Sequence, residues 1–281
     1  VEAIKQANPG YDEGIMNKAE VKRMADEARR MPSRTPQYLN LILNQVIEAQ
    51  APFIPPTIWS ENGDSVDDDW GDAVVYGGLD LSSVRDLTAL VLTSKIRGKW
   101  QVKVFAWLPQ EGIAEKARLD KTPWDIWANQ GYLSLTPGNA IDYSFVAKFI
   151  VDICDSYNIK TIGFDRWGFD KLKLALKAYE AEGLIDTHFT SIGQGFKDMA
   201  PALNTAESLL LNKQVAHGKN PLLTMCAANV MITSDPAGNR KPVKDNKNSG
   251  RRIDAFVAMI MALHCAHSAE AQETSKVIPT R

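Results

Sequence analysis

Residues 73–108 carry the feature that most constrains the fold: three β-rich runs laid almost end to end. The runs 74–82, 87–96 and 100–108 are dominated by β-branched, aliphatic and aromatic residues, and Arg97-Gly98 between the last two is a two-residue turn signal. Links this short leave no room for a crossover helix, so the runs must pair as an antiparallel meander. Beyond them helices and strands alternate. Asp142 precedes a helix with Val146, Phe149, Ile150, Ile153 and Tyr157 on its core face, and 160–165 is a short apolar strand. An amphipathic helix over 170–182 carries Leu172, Ala175, Leu176 and Tyr179 and ends at Gly183. Then come a strand over 188–192, a helix over 201–212, a hairpin around 235–244 and a closing helix from Arg252 to Ser268. The expected fold is α/β: a central mixed sheet of three antiparallel strands and then parallel strands, flanked by helices.

The first sixty residues read differently. Residues 17–31 are rich in good helix formers and stopped by Pro32, and Thr35-Pro36 opens a second helix with Tyr38, Leu39, Ile42 and Val46 on one side. Pro52, Pro55 and Pro56 make 51–57 an extended connector. Two helices do not close a core, so 1–60 is expected to be a helical appendage, 61–72 an acidic linker, 73–269 the main domain and 270–281 a flexible tail.

Charge separates these regions further. Lys plus Arg number 32 and Asp plus Glu 34, a formal net charge of −2, which argues against a uniformly basic nucleic-acid coat. The total hides two opposed segments. Residues 61–72 hold Glu61, Asp64, Asp67, Asp68, Asp69 and Asp72 with no base, and lack the spacing of a calcium loop, so they read as solvated. Residues 236–252 hold Arg240, Lys241, Lys244, Lys247, Arg251 and Arg252 against Asp245. No apolar run approaches the roughly 18 residues of a membrane span, no signal-peptide layout opens the chain, and Cys154, Cys226 and Cys265 cannot all pair. A non-secreted protein in a reducing compartment is expected.

Three acids interrupt the apolar pattern. Asp80 lies within Tyr76-Gly77-Gly78-Leu79-Asp80-Leu81-Ser82, on one strand face with Tyr76 and Gly78. Asp165 ends Thr161-Ile162-Gly163-Phe164-Asp165. Asp254 is the only acid in the closing helix, which stays apolar or small through Ala262. Taken singly, each is a cap, a turn residue or half of an ion pair. Taken together they admit a joint role, because strand carboxyl ends and neighbouring helix termini of an α/β sheet converge on one edge. Three carboxylates within about 4 Å would repel by roughly 4 kcal/mol per pair at an effective dielectric of about 20. Divalent cations remove that repulsion, and oxygen donors select Mg2+ or Mn2+ over Zn2+. Two such ions can activate a water and stabilise the leaving oxygen in phosphodiester cleavage. The helix dipole is expected to help keep Asp254 ionised.

An Asp in the first meander strand, a second ending a later strand and a third in the terminal helix is the layout of ribonuclease H-like nucleases. Gly78-Leu79-Asp80-Leu81-Ser82 followed by Asp86-Leu87-Thr88-Ala89 resembles the first nuclease motif of the large terminase subunit of tailed bacteriophages. Asn139-Ala140-Ile141-Asp142-Tyr143, Ile162-Gly163-Phe164-Asp165-Arg166-Trp167 and Arg252-Ile253-Asp254-Ala255-Phe256-Val257-Ala258 resemble its later blocks in the same order, as do His217-Gly218-Lys219-Asn220-Pro221 and Ala227-Ala228-Asn229-Val230. The resemblance spans residues 73–266, with a fainter match before Pro56. It implies a ribonuclease H-like endonuclease that cuts concatemeric double-stranded DNA during genome packaging. It further implies Asp80, Asp165 and Asp254 as catalytic metal ligands, two Mg2+ or Mn2+ ions, and the terminase small subunit, portal and procapsid as partners. The family also implies an N-terminal ATPase. The phosphate-binding pattern G-x-x-x-x-G-K-[ST] is absent, since Gly98-Lys99 and Gly218-Lys219 are followed by Trp100 and Asn220. With Val1 at its start, the chain is expected to be the nuclease half of a longer protein, without ATP hydrolysis of its own, acting in the host cytoplasm.

Several residues keep two readings. Asp86 is a further metal candidate or a turn cap after Ser82-Ser83. Asp142 is first an N-cap and is left out of the metal set. Arg240, Lys241, Lys244, Lys247, Arg251 and Arg252, just ahead of Asp254, are expected to contact DNA phosphates, against the alternative of a solvated loop. Arg166 and Trp167 either touch the substrate or pack. The alternatives in function are another ribonuclease H-like nuclease, such as a junction resolvase or transposase, and a catalytically weak module that docks on the portal.

Overall fold

Pro55 and Pro56 mark a division of the chain into two units, Val1–Pro55 and Pro56–Arg281. The computed structural model describes residues 2–30, 34–45, 53–81, 86–244 and 250–277. In the first unit, α1 (Glu2–Ala7) and a short 3-10 turn precede α2 (Lys18–Arg30) and α3 (Thr35–Leu43). The Asn17 side-chain oxygen accepts the Ala19 N–H at 3.0 Å and starts α2. Ile4, Val21 and Ile42, one from each helix, bury together with Tyr11, Met24 and Tyr38 packed around them. Met31, Pro32, Val46 and residues 51–52 of the expected connector lie outside the described residues.

The second unit opens with α4 (Pro56–Glu61), followed by β1 (Val74–Asp80), β2 (Thr88–Ile96) and β3 (Lys99–Pro109). These strands pair antiparallel in sequence order. Arg97 (φ 51°) and Gly98 (φ 83°) supply the two left-handed residues that a tight hairpin turn requires. Two helices, α5 (Ile113–Asp120) and α6 (Trp124–Asn129), lead to β4 (Ser134–Thr136), parallel to the end of β3. Then come α7 (Tyr143–Ser156), β5 (Asn158–Phe164), α8 (Phe169–Ala178), α9 (Gly183–His188) and β6 (Phe189–Ser191). β5 runs parallel to β1 and β6 parallel to β5, so the strand order is β4-β3-β2-β1-β5-β6. After α10 (Phe196–Leu211), β7 (Val215–Ala216) pairs with the start of β3. The chain continues through α11 (Pro221–Asn229), the hairpin of β8 (Val230–Ser234) and β9 (Arg240–Lys244), and α12 (Asp254–Val277). A meander followed by parallel strands reached through helices is the ribonuclease H-like arrangement.

Element boundaries depart from the local signals where packing overrides them. α10 starts five residues before Pro201, because Met199 and Ala200 are buried and carry the helix back past the proline. α8 ends at Ala178, Glu180 turns with φ 54°, and Gly183 opens α9 instead of closing a helix. α12 runs to Val277 and takes in much of the expected tail, while 278–281 lie outside the described residues. The acidic stretch is laid against the sheet. Asp64 pairs with Lys99 at 2.5 Å and Asp67 with Arg97, while Trp70 is buried with its indole N–H on the Gln101 side-chain oxygen at 2.9 Å. Its basic partners lie 30 and 35 residues downstream, beyond the reach of local pattern.

The sheet buries both faces. Val75 and Leu79 join Val146, Ile150, Leu172 and Leu176 on the α7/α8 side. The alternate residues Tyr76, Gly78 and Asp80 face α12. At Gly78 the helix backbone comes so near that a Cβ would stand 2.0 Å from the Ala258 carbonyl oxygen and 2.7 Å from the Ala262 nitrogen. Backbone on both sides leaves no flexible group to yield. Gly78→Ala is therefore expected to cost about 3 kcal/mol or more in urea unfolding, against about 1 kcal/mol for Gly98→Ala, where only the positive φ is strained.

Candidate metal centre

The contact at Gly78 also sets the register of the acids. Asp80 lies two residues, roughly 7 Å, further along β1. Asp254 lies four residues, about 6 Å, ahead of Ala258 along α12. The start of α12 therefore arrives at the carboxyl end of β1. Leu79 pairs with Phe164 in the parallel register of β1 and β5, which puts Asp165 beside Asp80. Asp86 enters just ahead of β2, whose Ala89 pairs with Asp80. The structure thus brings Asp80, Asp165, Asp254 and Asp86 to one edge of the sheet.

Their electrostatics follow from that crowding. Burial first, then the charges of Asp254, Asp165 and Asp86, raise the pKa of Asp80 well above the carboxylate range, with Lys244 opposing. Asp254 is only 8% exposed, and burial with the charge of Asp86 pushes it up to about 6 against Lys244, its own backbone N–H and Arg252. Burial outweighs the help expected from the helix start. Burial also opposes ionisation of Asp86, but Arg252, Lys244 and the Leu87 N–H outweigh it and hold that carboxyl below its ordinary value. Asp86 accepts the Leu87 N–H locally at 2.9 Å and meets Lys244 at 3.3 Å, while Ser82 and Ser83 of the expected turn lie outside the described residues.

Lys244 sits among the acids, 3.9 Å from Asp254 Oδ1. The other oxygen, Asp254 Oδ2, is buried with no hydrogen-bond partner among the described residues. No three His, Cys, Asp or Glu side chains among the described residues stand close enough to hold a metal ion as they lie. The carboxylates converge, with an ammonium among them.

The remaining residues of interest sort by contact. Asp142 caps α7, accepting the Ser144 N–H at 2.9 Å. His217 is buried, stacked on Trp59 at 4.1 Å with Nε2 2.9 Å from the Trp59 carbonyl, and Asn220 caps α11. That block is structural. Asn229 donates to the Arg252 carbonyl at 3.1 Å and so steadies the approach to Asp254. Of the basic segment, Arg240 pairs with Glu207 and donates to Asn204 at 2.7 Å. Arg252 lies between Asp86 and Asp120. Lys241 stands 4.8 Å over the Phe196 ring, Arg251 is exposed, and Lys247 lies outside the described residues. Arg166 is exposed with Nε on Ser191 Oγ at 2.7 Å, and Trp167 is 61% exposed, so neither packs in the core. Asp120 carries no local sequence signal that would mark it as a candidate.

A carboxyl whose folded pKa is raised destabilises the fold when ionised, and that penalty fades as pH falls through the folded value toward the unfolded one. In EDTA, Asp254→Asn should therefore melt higher than the parent at pH 8, by the equivalent of about 1–3 kcal/mol. Melting curves across pH should show the gap narrowing below pH 6, toward about 4.

Comparison with known proteins places the chain in a family. The family model described as the endonuclease domain of the terminase large subunit matches residues 67–270. The chain is 40% identical over 265 residues to the large terminase subunit of Enterobacteria phage HK97, an alignment covering 93% of this chain and 50% of that protein. It is also 26% identical over 205 residues to protein YmfN of Escherichia coli (strain K12), covering 70% of this chain and 42% of YmfN. Its fold matches the crystal structure of the HK97 bacteriophage large terminase with a TM-score of 0.69 and 38% identity, over 94% of this chain and 53% of that one. The chain thus spans about half the length of the relatives it matches. With the match running across the whole sheet and all four converging aspartates, the chain belongs to the terminase large-subunit endonuclease-domain family.

Proposed function

We propose that this chain is a divalent-metal-dependent endodeoxyribonuclease that cuts concatemeric double-stranded DNA for a packaging motor. Two Mg2+ or Mn2+ ions would be held by Asp80, Asp165 and Asp254, with Asp86 beside them. The observation that carries this reading is Asp254 Oδ2, a buried carboxylate oxygen with no donor among the described residues, in a helix start that meets three other acids. A donor set of carboxylate oxygens suits a hard divalent cation, and an ion supplies what that oxygen lacks. When bound, such ions activate water and neutralise charge on the leaving oxygen. The chain's own part is positional. Asp80 and Asp165 project from adjacent strand ends, Asp254 is fixed by the packing of α12 on Gly78, and Lys244 offsets the charge of Asp86 and Asp254.

Arg240, Lys244 and Arg252 are tied to acids of their own chain. DNA contact is therefore proposed first for Lys241, with Arg251 and Lys247 kept as expected contacts in the same segment. Arg166 and the exposed Trp167, just past Asp165, form a second rim. The terminase small subunit, the portal and procapsid, an ATPase domain of the same polypeptide, and action in the host cytoplasm are the wider setting of this proposal. No described helix is long and apolar enough to cross a membrane.

Supercoiled plasmid incubated with Mn2+ or Mg2+ is expected to be nicked and linearised, and EDTA to stop it. Asp80→Asn should slow cleavage by about 100-fold or more. Cleavage that survives either change overturns the metal-carboxylate reading. In DNA-binding titrations, Lys241→Ala and Arg166→Ala should each remove one phosphate interaction and so lower the slope of log affinity against log salt by about 0.9. An unchanged slope places those residues away from DNA.

A further inference from the structure

We infer that Asp120 is a positioning residue for the metal centre, acting through Arg252. The inference rests on the metal-dependent reading above and extends it to the α5–α6 insertion between β3 and β4, which carries none of the converging acids.

The geometry is specific. Asp120 is the last residue of α5, and its side chain is 11% exposed. Oδ2 accepts the Trp124 indole N–H at 3.0 Å, meets Lys116 Nζ at 3.1 Å and faces Arg252 Nη2 at 3.6 Å. Trp124 is fully buried, so this carboxylate is anchored in the insertion's own core. Arg252, 13% exposed, has its Nε in an ion pair with Asp86 Oδ1 that makes no hydrogen bond, so one guanidinium lies between two carboxylates, one on each side. The backbone ahead of Arg252 is held against the same acid: a Cβ on Gly250 would stand 2.5 Å from Asp120 Oδ1. Only a glycine permits that approach.

The charge balance gives this bridge its role. Asp86 already meets Lys244, which also approaches Asp254. A guanidinium this buried needs its charge matched, and Asp86, its partner at the metal edge, already meets Lys244. Asp120 supplies the second carboxylate and draws Arg252 toward the insertion. Without it, Arg252 leans on Asp86 and Asp254, and those acids lose capacity to hold a divalent ion. Outer partners of metal ligands typically change metal affinity by about 10–100-fold.

The test reads Mn2+ binding without DNA, by electron paramagnetic resonance of free Mn2+, beside plasmid cleavage against Mn2+ concentration. Asp120→Asn keeps an acceptor for Trp124 but removes the charge. It should bind Mn2+ about tenfold more weakly. Half-maximal cleavage should need correspondingly more Mn2+, while the rate at saturating Mn2+ is largely regained. Asp120→Glu should recover part of the affinity. Arg252→Lys, which keeps the charge but cannot bridge two carboxylates, should weaken binding as Asp120→Asn does, and serves where the latter folds poorly. In EDTA, the stability losses of Asp120→Asn and Arg252→Gln should be non-additive. A parent that binds Mn2+ and cuts, with Asp120→Asn and Arg252→Lys matching it, overturns the relay and leaves the nuclease reading standing. A parent that binds no Mn2+ overturns the metal reading and the relay with it.

Discussion

The approach of α12 to β1 at Gly78 is the contact on which the rest of the domain depends. A helix normally keeps its distance from a sheet through the side chains of both. Here one residue has none, and the helix backbone settles onto the strand. That single contact fixes how far α12 is advanced along β1, and therefore that its first residue, Asp254, meets the strand's last, Asp80. The same crossing leaves α7 and α8 to cover the opposite face, so the sheet is buried on both sides and its carboxyl edge carries the acids.

At that edge the domain tolerates an arrangement that works against its own stability. Four carboxylates approach one another, and burial raises two of them instead of letting the helix start hold Asp254 ionised. Lys244 from β9 and Arg252 from the turn into α12 offset part of the charge, and Asp254 Oδ2 remains without a donor among the described residues. Strained electrostatics concentrated at one edge of a satisfied sheet is what a functional site presents.

The blocks that resemble the family divide physically into two kinds. The Asp80, Asp165 and Asp254 blocks carry acids to the edge. The His217–Asn220 block builds the scaffold: His217 stacks on Trp59, Asn220 starts α11, and Asn62, fully buried, donates to the Leu210 carbonyl and accepts the Val215 N–H on either side of the preceding turn. Motif membership alone does not separate these roles. Burial and hydrogen-bond partners do.

The meander, the strand ending at Asp165, the hairpin and the terminal helix are all legible in the chain, because alternation, turn residues and apolar runs are local. The acids Asp80, Asp165 and Asp254 are visible there too, since a carboxylate inside an apolar run stands out by its cost of burial. The position of Asp142 as a cap is equally local. What tertiary structure alone decided is which charges meet. Arg240, Lys244 and Arg252 read as a basic segment free for DNA, yet their partners Glu207, Asp86 and Asp120 lie 33, 158 and 132 residues away and come together only in the fold. The acidic stretch reads as solvated for the same reason, its partners being on the β2–β3 turn. Local pattern determines where chain conformation and burial cost lie; electrostatic partnership is a matter of distance in space, and only the folded sheet sets that.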